Sequence, residues 1–305
     1  MRVFVTGATG FIGSQVVRLA LREGHEVMAL VRHDSNMERI QDLRKEIDWV
    51  EGDLLTSAEL EAPLRRKTPD LCLHLAWYAD ADRHRWAHDN LDCLTGSLAL
   101  LRVLHAIGCP RLLLAGTSVE YYTTTGYVSE SSPISPANLY AAAKQSMFLM
   151  ANHLDPQGNW KMAAARIFSL YGPWDDPRRL VPFIINKLLA GEVCELTKGE
   201  QIRDYSHVED TASAVWAIAK SNVTGPVNVG SSQPVSVASI AERIAQLVGR
   251  PELLRLGALP QRPGDPAFLV ANTERLRLEV GWKPRYDLAT GLAHTIDWWR
   301  TRRAR

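Results

Sequence analysis

No run of apolar residues in this chain approaches the length of a membrane span, so a bilayer-crossing helix is not expected. Cysteine is scarce too. Cys72, Cys93, Cys109 and Cys194 stand far apart with no CxxC pair, which suggests neither a disulfide framework nor a zinc site and leaves four reduced core thiols. A surplus of either charge is also missing. With 35 basic and 34 acidic residues the net charge is +1, and neither nucleic acid nor a membrane surface is expected as partner. Internal repeats and low-complexity tracts are absent. The expectation is a soluble, cytoplasmic protein, and 305 residues suffice for one large α/β unit with a smaller appendage.

What is present is concentrated at the start. An apolar, β-branched run from Val3 leads into Thr6-Gly7-Ala8-Thr9-Gly10-Phe11-Ile12-Gly13, three glycines spaced three apart, followed by an amphipathic segment to Gly24. This reads as strand, tight turn, helix. Gly7 permits the turn, Gly10 lets backbone N–H groups approach a pyrophosphate, and Gly13 lets the helix pack closely on the strand. The helix N-terminus offers unpaired donors to an anion. A second strand, ending at Val31, runs into Arg32-His33-Asp34-Ser35, where a dinucleotide fold tests the adenosine ribose. Arg32, helped by His33 and Ser35, suits a 2′-phosphate, so NADP(H) is preferred, while Asp34 keeps NAD(H) open. A third strand ends before Asp53, a carboxylate placed to accept from the adenine amino group, although a plain loop aspartate would look the same.

The strand Leu71 to Ala76 is followed by Trp77-Tyr78, and Arg111 to Ala115 by Gly116-Thr117-Ser118. Ligands of open α/β sheets lie beyond the carboxyl ends of the strands, which puts Thr117 and Ser118 in the cleft. Tyr140 and Lys144, four apart on an expected helix, share one face. A nearby ammonium favours phenolate, which eases proton exchange by a phenol of ordinary pKa about 10. His84 and His88 are also four apart, but no third ligand follows, and they read as a solvated pair rather than a metal site. No metal is expected.

With these residues in hand, the chain resembles the extended short-chain dehydrogenase/reductase family, in the branch acting on nucleotide sugars. The opening glycine turn matches that family's fingerprint, Tyr140-Ala141-Ala142-Ala143-Lys144 its YxxxK motif, and Thr117 its Ser/Thr position. Arg166-Ile167-Phe168-Ser169-Leu170-Tyr171-Gly172-Pro173 looks like its RxFNxYGP segment, with Ser169 in place of the usual Asn. Arg203-Asp204 through Asp210, Asn228-Val229-Gly230 and Arg262-Pro263-Gly264-Asp265 match later landmarks.

The resemblance implies an α/β fold, a Rossmann-type doubly wound parallel sheet with a smaller α/β C-terminal lobe. Residues 1–168 plus 207–230 would bind the dinucleotide, and 169–206 plus 231–305 the sugar nucleotide. The cofactor contacts would fall to Gly7, Thr9, Gly10, Phe11, Ile12, Arg32, Asp53, Leu54, Leu75, Ala76, Tyr140 and Lys144. Trp77, Ser118, Ser169, Arg203, Arg262 and Asp265 would meet a nucleotide-diphosphate sugar, guanidinium forks suiting its phosphates. The alternative for Arg203 is an ion pair with Asp204 or Asp210, the latter expected to cap a helix from Thr211.

In the family's mechanism Lys144 holds the nicotinamide ribose and lowers the Tyr140 pKa, Thr117 binds the sugar oxygen, and Tyr140 exchanges its proton. The family's 4,6-dehydratases carry Asp-Glu after the Thr, whereas this chain has Ser118-Val119, which argues against dehydration. The reading is an NADPH-dependent 4-ketoreductase of nucleotide 4-keto-6-deoxysugars. An NAD-dependent 4-epimerase is the runner-up, and a non-catalytic NADP(H) sensor the alternative of another class. A homodimer through the Tyr-Lys helix, using Met147, Phe148 and Met150, is also implied. Sugar identity is expected to depend on Trp77, Tyr121, Tyr122 and Trp174, and Trp282, Trp298 and Trp299 are expected to pack the lobe.

Overall fold

Alternation of two apolar faces along short strands governs the architecture. The computed structural model describes the chain except residues 122–123, 156–159, 262–265 and 304–305 and the side chains of 57–58. Seven parallel strands form one sheet in the order Gly225–Val229, Lys161–Ile167, Arg111–Thr117, Leu71–His74, Arg2–Thr6, Glu26–Val31, Asp48–Glu51. Val3, Val5, Leu71, Leu73, Leu113 and Ala115 face one core, with the helices Phe11–Arg22 and Val208–Lys220. Phe4, Met28, Cys72, Leu112 and Leu114 face the other, with Asp89–Ala106 and Leu139–Leu154. Residues one apart thus serve opposite layers, as a sheet covered on both sides requires.

The strand order reverses between Arg2–Thr6 and Leu71–His74. At such a switch point the loops leaving the carboxyl ends diverge and open a crevice. Beyond it a second core gathers Val181, Ile184, Ile240, Ile244, Leu292 and Trp299 from the helices Leu180–Leu189, Val237–Val248 and Leu288–Arg303. Alongside runs a sheet in the order Pro234–Ser236, Ile202–His207, Phe268–Ala271, Gly126–Val128, with Ser169–Tyr171 paired to the second of these.

Several local expectations change. Asp210 does not cap its helix: Val208–Lys220 begins earlier and is capped by His207, whose ring accepts from Glu209 N–H. Trp282 belongs to the main sheet's core and donates its Nε1–H to Ser213 Oγ at 2.9 Å, whereas Trp298 and Trp299 do pack the second core. Met147 is buried and Phe148 partly so, leaving Met150 on the surface of the Tyr-Lys helix. Cys72, Cys109 and Cys194 are buried free thiols and Cys93 a half-buried one. Among the described residues no helix is long and apolar enough to cross a membrane.

Candidate active site

The glycine turn is shaped by what cannot fit beside it. Gly7 has φ +73°, and a Cβ there would sit 2.7 Å from Ala76 N, while one on Gly13 would lie 2.0 Å from Gly7 O. Gly10 opens the helix Phe11–Arg22 with no side chain capping it, so the first backbone donors beside Thr9, Phe11 and Ile12 are available to an anion. Leu75 and Ala76 face the turn from the neighbouring strand end, held by a buried relay. Ser97 Oγ–H donates to Cys93 O, so His74 Nε2–H donates to Ser97 Oγ (2.7 Å), His74 Nδ1 accepts from Thr6 Oγ1 (2.7 Å), and Thr6 Oγ1 accepts from Ala76 N–H (3.2 Å). Burial lowers the His74 imidazole to about 3, which keeps the relay neutral. This cradle of bare backbone fits a dinucleotide pyrophosphate.

At the far end Arg32, His33, Asp34, Glu51, Gly52, Asp53, Thr56 and Glu59 line a cleft of about 470 Å³. The Arg32 guanidinium is exposed, with Nε 3.3 Å from Asp34 Oδ1. Ser35 Oγ braces the Arg32 backbone by accepting from its N–H at 3.1 Å. Asp53 lies in the cleft with one carboxylate oxygen accepting from Leu55 N–H, and Leu54 packs against the sheet's second face.

Thr117, Tyr140 and Lys144 come together at the end of Arg111–Thr117. Asn138 caps the helix Leu139–Leu154 by accepting from Ala141 N–H at 3.0 Å, and this fixes the face that presents Tyr140 and Lys144. The Thr117 side chain lies close enough to the Tyr140 hydroxyl to act on its pKa, in the lowering direction. Lys144 Nζ is buried, donates to Ala115 O at 2.8 Å and lies 3.9 Å from the Trp77 ring centroid. Burial lowers this amine to about 7. The expected tilt of Tyr140 toward phenolate is therefore not met. Burial raises the phenol above its ordinary value, outweighing the lowering by Thr117.

Behind the trio lies a pair that sequence reading did not single out. Glu120 accepts from Thr117 N–H at 2.9 Å and from Arg166 Nε–H at 2.9 Å, both side chains being almost fully buried. Arg166 also donates to the Tyr121 hydroxyl (2.6 Å), which donates to Asn228 Oδ1 (3.0 Å). Tyr121 is thus a fully buried strut and does not line the cleft. Ser118 is half-buried in the short turn Ser118–Tyr121.

Of the residues expected to meet a sugar nucleotide, Trp77 is half-buried beside Tyr140, their ring centroids 6.4 Å apart, and donates to Asn90 Oδ1 at 2.9 Å. Ser169 and Arg203 lie on the strands Ser169–Tyr171 and Ile202–His207. Arg203 pairs with neither expected aspartate and donates to Ile202 O. Asp204 is buried and accepts from Ser231, Ser232 and Ala271 backbone N–H groups, while Asp210 accepts from those of Arg285 and Tyr286. Arg262, Asp265 and Tyr122 lie outside the described residues. Trp174 has φ +73°, packs at a tilt against Trp298 with ring centroids 5.0 Å apart and lies under the Arg302 guanidinium.

Two loops are tied to each other. Arg178 reaches Asp82 (2.9 Å), Asp80 (3.2 Å) and Asp176 (2.7 Å), and Arg179 donates to Ala79 O at 3.3 Å. On the first loop His84 is no solvated partner of His88. The segment is a series of turns rather than a helix, and His84 packs edge-on against Tyr140 with ring centroids 5.2 Å apart, while His88 stays exposed. A second unforeseen cluster joins His207, Glu209 and His294, whose ligand atoms lie within 4.8 Å of one another. Those atoms are committed internally. His207 Nδ1 accepts from Glu209 N–H, so its Nε2–H donates to His294 Nδ1 at 3.2 Å, and Glu209 accepts from the Tyr286 hydroxyl.

Known proteins are similar to this chain in sequence and fold. The chain is 28% identical over 327 residues to the dTDP-glucose 4,6-dehydratase of Xanthomonas campestris pv. campestris, covering 97% of this chain and 92% of the relative. The crystal structure of UDP-glucose 4-epimerase from Thermotoga maritima with UDP-glucose superposes with a TM-score of 0.91 at 24% identity over 99% of both chains, a likeness of fold. That of UDP-glucose 4-epimerase from Thermus thermophilus with NAD gives 0.85 at 27% identity, over 98% of this chain and 99% of the other. The profile of the NAD dependent epimerase/dehydratase family matches residues 3–230, and with the glycine cradle and the Thr117, Tyr140, Lys144 grouping on the same stretch, the chain belongs to that family of nucleotide-sugar enzymes.

Proposed function

We propose that the protein reduces the C4 ketone of a nucleotide-activated 4-keto-6-deoxysugar with NADPH. The observation that carries this reading is the state of the turn after Thr117. Its one carboxylate, Glu120, is held by Arg166 and the Thr117 backbone, and Ser118 and Val119 cannot act as the acid and base that dehydration needs. What remains at the reacting carbon is a single proton donor, Tyr140, raised by burial so that it carries its proton near neutral pH.

A bound nicotinamide dinucleotide supplies the hydride. Thr117 would orient the ketone oxygen, Tyr140 would give it the hydroxyl proton, and Lys144 would hold the nicotinamide ribose. Arg32 meets the 2′-phosphate in the adenosine cleft. Arg203, without a carboxylate partner among the described residues, meets the substrate diphosphate, and by the family resemblance alone Arg262 would join it there and Asp265 would hold the substrate ribose. A homodimer through the Tyr-Lys helix belongs to the same proposal, supported by the exposed Leu149 and Met150.

The runner-up is an NAD-dependent 4-epimerase, favoured by Asp34, which neutralises Arg32, and by the acidic Glu51, Asp53 and Glu59 around it. The test is incubation with NADPH and TDP-, CDP- or GDP-4-keto-6-deoxyhexoses, read as loss of NADPH absorbance. No oxidation with any of the three, together with interconversion of UDP-glucose and UDP-galactose, establishes the epimerase instead. Cofactor binding with neither reaction establishes the sensor.

A further inference from the structure

His84 stands out because its chemistry is set by the fold while no reaction step above uses it. Its Nδ1 is 2.7 Å from Asp80 O. A carbonyl only accepts, so Nδ1 carries the proton and the neutral ring's Nε2 is a bare acceptor. No partner for that nitrogen exists among the described residues. The ring is half-buried and stands edge-on to Tyr140 with ring centroids 5.2 Å apart, so the two side chains are direct neighbours.

The placement is held from several sides. Asn90, fully buried, donates to His84 O at 2.6 Å and to Ala87 O at 2.8 Å, and its Oδ1 accepts from Trp77 Nε1–H. Tyr140 N–H donates to Arg85 O at 3.1 Å, which joins the loop to the start of the Tyr-Lys helix. Arg178 grips Asp80, the residue that sets the tautomer. Burial, with Arg179 and Arg85 nearby, lowers the imidazole below its ordinary value and keeps the acceptor form populated.

We propose that His84 is a sugar-recognition residue: Nε2 accepts a hydrogen bond from a ring hydroxyl next to the carbon served by Tyr140. Every sugar of the class offers such donors, whereas a ketone or phosphate oxygen has no proton to give, so the contact selects ring hydroxyls. The proposal rests on Tyr140 marking the reacting carbon and holds for reduction or epimerisation alike.

The test uses His84→Phe, which keeps the edge contact with Tyr140 and removes the acceptor, and His84→Gln, whose amide oxygen restores one. With the sugar nucleotide that the wild type turns over, His84→Phe should raise KM about tenfold, with kcat within about threefold and NADPH affinity unchanged, and His84→Gln should recover part of the loss. An unchanged KM overturns the proposal. Should the wild type turn over none, the reading of the reaction falls, and the histidine is followed directly. In protein labelled with nitrogen-15 at histidine, the Nε2 resonance absent from His84→Phe should move when UDP-, TDP-, CDP- or GDP-glucose saturates the NADP-bound chain. Saturation without that movement, or failure of all four to bind, overturns the role assigned to His84.

Discussion

Replacing Lys144 with methionine should abolish turnover and yet stabilise the fold. Lowering an amine from 10.5 to about 7 corresponds to a penalty of about 5 kcal/mol for the charged form, at about 1.4 kcal/mol per tenfold change. The sign follows from proton binding. Between pH 7 and 10.5 the unfolded chain holds a proton on this amine that the folded chain has shed, so stability rises with pH across that window and the full penalty applies below it. Methionine keeps the apolar stem and the contact with Trp77, but leaves Ala115 O without its donor, which costs about 1–3 kcal/mol. The net expectation is a variant more stable by roughly 2–4 kcal/mol at pH 6 and no more stable at pH 10.5. Urea denaturation at the two pH values, read by tryptophan fluorescence, measures it. A variant no more stable than the wild type at pH 6, or a gain that persists undiminished at pH 10.5, would refute the argument that burial suppresses this charge.

Three further perturbations separate the other claims. Tyr140→Phe should lower kcat by about 10²–10⁴-fold while leaving NADPH binding within a factor of about two, measured by single-turnover kinetics and fluorescence quenching; binding lost in parallel would mark a structural role. Arg32→Ala should raise the KM for NADPH at least about tenfold and leave that for NADH nearly unchanged, and equal effects on both would remove the 2′-phosphate contact. Glu120→Ala should cost about 3–5 kcal/mol in chemical denaturation by stranding the buried Arg166 charge, while a double variant with Arg166→Met recovers much of it. Independent, additive losses would contradict the buried pair.

The glycine turn and the pairing of Tyr140 with Lys144 were legible because their information is local. Gly7, Gly10 and Gly13 act within one turn, and Tyr140 and Lys144 share a helix face by spacing alone. The residues that escaped are those whose meaning depends on contacts far along the chain. Glu120 and Arg166 are 46 positions apart, and nothing in either stretch announces that they meet. The spacing of His84 and His88 suits a helix, but Asp80 and Asn90 fold their segment into turns that bring one ring to Tyr140 and leave the other outside. Nothing beside Trp174 announces that its indole packs against Trp298, far along the chain. The phenol departs from expectation for a related reason. Spacing reveals a neighbouring amine and says nothing of how thoroughly both groups are removed from water.

The bridge made by Arg178 has a consequence for how firmly its two loops are joined. Its three aspartate partners all reach a guanidinium that keeps about half of its surface in water, and contacts of that kind are worth about 1 kcal/mol or less apiece. Such a latch parts readily under thermal motion and weakens as ionic strength rises. The link between these two loops is therefore cheap to open, whereas the segments tied by Asn90 and the Glu120 pair keep their shape.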